Sequence, residues 1–304
     1  MRNALIKQLT TMALQDQRIH VILPDIGVFA FKQAGFPEKQ TKNCGICEAA
    51  AVQIASGLAL TKKIPVVYTI ASFATARCLE QIKMACYNNL PIKIVGVGAG
   101  LTYSHEGPTH HACDDISLMR SIPDMYVYSP CSSEETTLIT QEIVNNCKPS
   151  YIRLTTQQYN ADYDFRIKEY MPFMCQRPSI YAKVAIITTG GIMNNVLEAT
   201  ENDNRFSVYS MSRLWPIKFS EKGPDMIAIL RSHKIIVTIE EHCEYGGLGT
   251  IIGEIMHVMD IKSKLRTIGI ESRFCPVIGS REEVLDWTDL SIAQIKRRLN
   301  CIAK

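Results

Sequence analysis

Apolar positions along the chain alternate between two spacings. Ala4, Leu5, Leu9, Met12 and Leu14 recur at helical spacing over 3–15. Residues 19–23 (IHVIL) read as a short strand, and Pro24-Asp25-Ile26-Gly27 as a loop. The pattern then predicts an Ala-rich helix over 48–60, a strand over 65–70, a helix over 73–88 and a strand over 91–97. A loop rich in Gly, His and Thr fills 98–113. It is followed by a short helix near 115–120, a strand at 125–129, a helix at 133–146 and a strand at 150–154. Residues 156–180, rich in Tyr, Gln, Asp and Pro, lose the rhythm and read as a linker. It then restarts with strands at 183–189, 206–211, 234–239 and 265–270 and helices at 191–200, 220–231 and 247–259. Strands that are apolar nearly throughout, each followed by a helix, predict parallel sheets covered on both faces. The expected fold is α/β with two domains, each a mostly parallel sheet flanked by helices. The boundaries are 1–160, a linker at 161–180, and 181–304.

A length of 304 residues agrees with two domains. With 46% hydrophobic and 21% charged residues, the composition excludes wholesale disorder. The net charge of +3 is spread along the chain. Its densest basic run, Lys296-Arg297-Arg298, reads as a solvated helix end, so no nucleic-acid or membrane surface is expected. No apolar stretch reaches about 18 residues, and the N-terminal segment carries charge through its apolar positions, unlike a signal peptide. Eleven cysteines, an odd number, point to reduced thiols and a cytoplasmic protein. Cys44-Gly-Ile-Cys47 lacks a second ligand pair. It reads as two buried small residues at a strand-to-helix turn in preference to a redox or metal site, and no metal ligands are assigned.

Three constellations could carry chemistry. In Asn43-Cys44-Gly45-Ile46-Cys47-Glu48 the carboxylate opens a helix that is apolar nearly all round. Glu48 suits the helix dipole there, yet a buried, unpaired Glu is expensive, so it is either a structural hydrogen-bonding group or a chemical one. The second is the loop from Gly96-Val97-Gly98-Ala99-Gly100 through His105, Glu106, Gly107, Pro108, Thr109, His110 and His111. It leaves the carboxyl end of a strand, where open α/β sheets place ligands. Its histidines suit polar substrate contacts better than a metal, and its glycines do not form a dinucleotide fingerprint. The third is Glu240-Glu241-His242 with Gly246-Gly247-Leu248-Gly249. Its Gly-rich turn can bind an anion at a helix start or simply allow close packing, which is the favoured reading. The stripe Ile251, Ile252, Ile255, Met256 and Met259 beyond it reads as core.

In register, these segments resemble the C-terminal half of transketolase, as found in split transketolases whose halves are separate chains. The matching elements are Gly45-Ile46-Cys47-Glu48, Thr69 to Ala74, Gln81-Ile82, Asn89 to Gly96, Gly107-Pro108-Thr109-His110, Asp115 with Leu118 to Pro123, and the Glu-Glu-His and Gly-Gly-Leu-Gly pair. The resemblance implies a pyrimidine-binding domain at 1–160 and a transketolase C-terminal domain at 181–304. It also implies ketol transfer on thiamine diphosphate, with Glu48 sharing a proton with the cofactor's aminopyrimidine. Phe73 and Ile70 would contact that ring, Asp25 its edge, and His110, Glu106 and Arg2 the sugar. The family holds the diphosphate through Mg²⁺ on a Gly-Asp-Gly element of the N-terminal domain. This sequence has no Gly-Asp-Gly. The resemblance therefore implies a partner N-terminal subunit, two copies of each chain, and a shared active site. Phe29, Gly98 and Thr156 stand where the family places phosphate ligands, which points away from a simple sugar phosphate. The alternatives are the beta subunit of a 2-oxo acid dehydrogenase's decarboxylase component and a non-catalytic relative.

Overall fold

The computed structural model describes residues 1–156, 170–217 and 225–304. The chain runs α1 (Arg2–Gln15), β1 (Ile19–Leu23), α2 (Val28–Gln33), β2 (Thr41–Asn43), α3 (Glu48–Leu60), β3 (Ile64–Ile70), α4 (Ala71–Thr75) and α5 (Leu79–Tyr87). It continues through β4 (Lys93–Val97), α6 (Asp115–Arg120), β5 (Tyr126–Tyr128), α7 (Ser133–Asn145), β6 (Ser150–Leu154), β7 (Phe173–Arg177), β8 (Val184–Thr188) and α8 (Met193–Ala199). The remainder is β9 (Phe206–Met211), β10 (Arg213–Trp215), α9 (Met226–Ser232), β11 (Ile235–Cys243), α10 (Leu248–Val258), β12 (Lys264–Ile270), α11 (Arg281–Trp287) and α12 (Ile292–Ile302).

Two sheets result, as the alternating pattern requires. Among the described residues the first has the order β10-β5-β6-β4-β3-β1-β2, and the second β12-β11-β8-β9-β7. Pairing is parallel except at two edges, β10 on β5 and β7 on β9. β4 and β6 are buried along their whole length, which explains why their sequences show no alternation. One apolar cluster joins the two units. Val52, Ile82, Ile116 and Tyr151 of the first share it with Ile236, Ile251 and Ile252 of the second. Each such side chain contributes about 1.5–3 kcal/mol by leaving water.

The segment read as a linker differs from expectation. Phe173–Arg177 is an edge strand of the second sheet; residues 157–169 lie outside the described residues. Only Phe173 and Met174 of β7 are buried, too few to give a period. β10 crosses back to the edge of the first sheet, where the Ser129 amide donates to Ser212 O at 2.7 Å. The two units therefore interlock. The helix expected over 220–231 is seen as α9, with 218–224 outside the described residues. The short elements α2 and β2 had no signal in the pattern. α11 had one: Ser280 and Glu283 form a capping box at its start. Lys296-Arg297-Arg298 lies on α12.

Candidate active site

The carboxyl ends of β2, β1, β3 and β4, neighbours in the first sheet, deliver most of the candidate residues to one edge. Asp25 follows β1, Glu48 follows β2, Ile70 and Phe73 follow β3, and Glu106 and His110 sit on the loop after β4. Asn43 ties two of these ends together, because its Oδ1 accepts from the Asp25 amide at 3.2 Å and the Gly45 amide at 3.0 Å. Asp25 has φ 65°, a left-handed conformation that Asp tolerates better than most residues.

Glu48 is the first residue of α3, and its side chain is only 5% exposed. This buried carboxylate has a partner: its Oε2 lies 2.8 Å from Nη1 of Arg77, on the turn between α4 and α5. The Arg77 guanidinium also lies 4.2 Å from the centroid of the Phe73 ring, a cation–π distance. Phe73 also meets His110, at 5.0 Å between ring centroids with the rings tilted. Thr109 Oγ1 is 2.9 Å from His110 Nδ1, and the Tyr103 ring lies 6.0 Å from the imidazole, edge-on. Burial raises the Tyr103 phenol, with the nearby positive charge of Arg2 acting against it. The structure thus brings Glu48, Arg77, Phe73 and His110 into one contact chain and sets Tyr103 beside it, while Arg2 opens α1 with its charge felt at the Tyr103 phenol. Glu106 is exposed and precedes the 3₁₀ turn at Gly107–Thr109 that presents His110. Ile70 precedes α4, which carries Phe73.

Sequence reasoning missed Arg77 and Tyr103. Arg77 stands four residues after Phe73, a helical spacing that could have flagged the pair. Tyr103 explains Gly98: φ there is +84°, and a Cβ would fall 2.0 Å from the tyrosine ring. A larger side chain at 98 would have to displace Tyr103. Phe29 is 77% exposed on α2, and Thr156 is exposed beyond β6.

The Cys44–Cys47 turn also departs from expectation. Cys44 is half-buried, its thiol pushed up chiefly by burial, but Cys47 is exposed, so the two are not a buried pair. Among the described residues no group of three or more His, Cys, Asp or Glu side chains could hold a metal ion, and no helix is long and apolar enough to cross a membrane. The Gly-rich turn before α10 receives a carboxylate from the chain itself. Glu240 accepts from the Leu248 and Gly249 amides at 2.6 and 2.7 Å, although burial pushes its carboxyl up to about 7. A Cβ on Gly247 would fall 2.1 Å from Glu240 Oε2, so close packing is what the glycine serves.

The model of the transketolase pyrimidine-binding domain matches residues 1–162, and that of the transketolase C-terminal domain matches 177–295. The chain belongs to the transketolase family. Among relatives, a putative transketolase C-terminal section of Methanocaldococcus jannaschii is 30% identical over 272 residues, spanning 87% of this chain and 83% of that protein. One of the subunits of the apulose-4-phosphate transketolase of Actinobacillus succinogenes is 28% identical over 270 residues, spanning 82% of this chain and 80% of that protein. Among solved structures, a split gene transketolase described as an inactive beta4 tetramer superposes with a TM-score of 0.84 at 25% identity, covering 99% of this chain and 96% of that one. Membership in the transketolase family implies thiamine diphosphate as cofactor. The residues fit it: a planar, N–H-bearing guanidinium already lies between the Glu48 carboxylate and the Phe73 ring. Glu48 and Phe73 can thus offer a planar, N–H-bearing ring a carboxylate acceptor and an aromatic face.

Proposed function

We propose that this chain is the C-terminal subunit of a two-chain transketolase, moving a two-carbon ketol unit from a ketose donor to an aldose or other carbonyl acceptor. The observation that carries the reading is the Glu48–Arg77–Phe73–His110 chain at the sheet edge, a buried carboxylate linked through a guanidinium to an aromatic platform with an imidazole beside it. Thiamine diphosphate, when bound, supplies the carbon that carries the ketol unit. Glu48 would hold a proton against a ring nitrogen, which requires Arg77 to leave its carboxylate. Phe73, with Ile70, would support the ring's face, and Asp25 would stand at its edge. His110 would hydrogen-bond substrate hydroxyls or move protons between them. Glu106 and Arg2 complete the sugar side.

Mg²⁺ and the diphosphate would be held mainly by an N-terminal partner subunit, in an assembly with two copies of each chain in the cytoplasm. Exposed Phe29 and Ile46, next to the Asp25 and Glu48 loops, support a partner covering this edge. The substrate's distal end is read as other than a free phosphomonoester, because Phe29, Gly98 and Thr156 offer no cationic phosphate ligand and Arg2 is the one matched cation. Comparing catalytic efficiency on a phosphorylated ketose with that on unphosphorylated or nucleotide-linked counterparts checks this. The test of the activity is Glu48→Gln in the assembled complex. Assembly should persist while turnover and proton exchange at the thiazolium carbon fall by about 10²–10⁴-fold, the scale of a lost acid–base group. Exchange at the wild-type rate would remove Glu48 from this role.

A further inference from the structure

The loop that presents His110 is held from the other unit. Its ends pair with each other, the Gly100 amide donating to Ala112 O at 3.1 Å and the Ala112 amide to Gly100 O at 2.9 Å. Onto this neck the end of β11 sets Glu241, buried to 4% exposure, whose Oε1 accepts from the Leu101 amide at 2.5 Å. Arg281, at the start of α11, grips the same carboxylate. Its Nη1 donates to Oε1 at 2.7 Å, and its Nη2 pairs with Oε2. Arg153 of β6 closes the neck from beneath by donating to Ala112 O at 3.2 Å and to Glu241 O at 3.3 Å. The Cys243 amide donates to Cys113 O at 2.7 Å. The fit is close: Gly100 has φ +61°, and a Cβ there would fall 2.6 Å from Glu241 Oε1.

A buried ion pair is weak evidence for stability, because desolvation offsets its attraction, but it fixes geometry. Here it holds one loop, and nine residues on from Leu101 that loop carries His110 to within 5.0 Å of the Phe73 ring. We infer that Glu241, a residue of the C-terminal unit, is a positioning residue for His110. The C-terminal domain would then take part in ketol transfer by holding the substrate loop in register, a role resting on the activity proposed above. Both Glu241 carboxylate oxygens are engaged within the chain, by the Leu101 amide and Arg281, so it acts through the loop. Its effect should appear where His110 acts and not where Glu48 acts.

The experiment compares wild type, Glu241→Ala, Glu241→Gln and Arg281→Met in the assembled two-chain complex. Glu241→Ala should lower kcat for ketol transfer by about ten- to hundredfold, the scale of displacing a reacting group by about an ångström. Thiamine diphosphate affinity and proton exchange at its thiazolium carbon should change by less than about twofold, because Glu48 and Phe73 are untouched. Glu241→Gln keeps an acceptor for the Leu101 amide and should restore most of kcat, while Arg281→Met should fall between. Hydrogen exchange of the 100–113 amides, which needs no activity, should accelerate in Glu241→Ala while α3 stays protected. An unchanged loop overturns the inference, and so does a loss of cofactor binding equal to the loss of turnover. If the wild-type complex transfers no ketol unit, the proposed activity fails, and the exchange data still decide whether the clamp exists.

Discussion

Two arginine–carboxylate pairs in this protein have the same separation and opposite circumstances. Arg77 meets Glu48 at 2.8 Å, with the arginine side chain 47% exposed. Arg153 meets Asp115 at 2.8 Å with 2% and 0% of the side chains exposed. The second pair is embedded. Tyr151 donates its hydroxyl to Asp115 at 2.6 Å, and Nη2 of Arg153 donates to the backbone carbonyls of Ala112 and Glu241. The first pair is open on the cation's side, and its aromatic neighbour Phe73 is a platform any planar group could share. Distance alone would rank them equal. Burial makes one a fixed strut and leaves the other open to exchange, as the proposed function of Glu48 requires.

The comparison can be broken by removing one partner from each pair. Asp115→Ala should be the larger effect. It strands a buried guanidinium and should lower unfolding stability by about 3–5 kcal/mol, read from urea transitions of the complex. A loss below about 1 kcal/mol would mean the strut carries little.

Acid should probe the same knot. Burial pushes the His242 imidazole down to about 4 from 6.5. The unfolded chain therefore takes up that proton first, and His242 stability, present at neutral pH, is lost as pH falls from 6.5 to 4. The full effect is about 3 kcal/mol. Glu240, pushed up to about 7, acts with the opposite sign, its contribution fading as pH rises from 4.5 to 7. Comparing His242→Asn with wild type isolates the histidine: the variant should lose less stability over this range, and identical slopes would contradict the assignment.

Arg77→Ala should be the smallest perturbation of the fold, about 1 kcal/mol, because removing a side chain that is 47% exposed opens the Glu48 carboxylate to water and does not strand it. Its signature is elsewhere. Freed of an internal competitor, the Glu48–Phe73 face should bind thiamine diphosphate in the assembled complex several-fold more tightly, by about the same free energy. Weaker binding would show that Arg77 serves the bound cofactor and does not stand in for it.

What the sequence made legible follows from the same distinction. The long helices and the buried strands were readable because apolar spacing reports burial directly. Glu48, Phe73 and His110 were readable because they sit in short local motifs at strand ends. Arg77 was hidden because its importance lies in whom it touches. Arg281 and Glu241 were hidden as partners because 40 residues separate them and only the docking of α11 on β11 brings them together. β7 and β10 escaped notice for a different reason. They are short edge strands, one antiparallel to β9 and one borrowed by the other sheet, and neither carries a period.

The central claim is that this chain holds the aminopyrimidine half of a thiamine diphosphate site and needs a second chain for the rest. The direct measurement is calorimetric titration of thiamine diphosphate with Mg²⁺ into the purified chain and into the chain mixed with its copurifying partner, expected to be about 250–300 residues long. The expected result is weak binding and no ketol transfer by the chain alone, and tight, Mg²⁺-dependent binding by the mixture. Tight, Mg²⁺-dependent binding by the chain alone would contradict it.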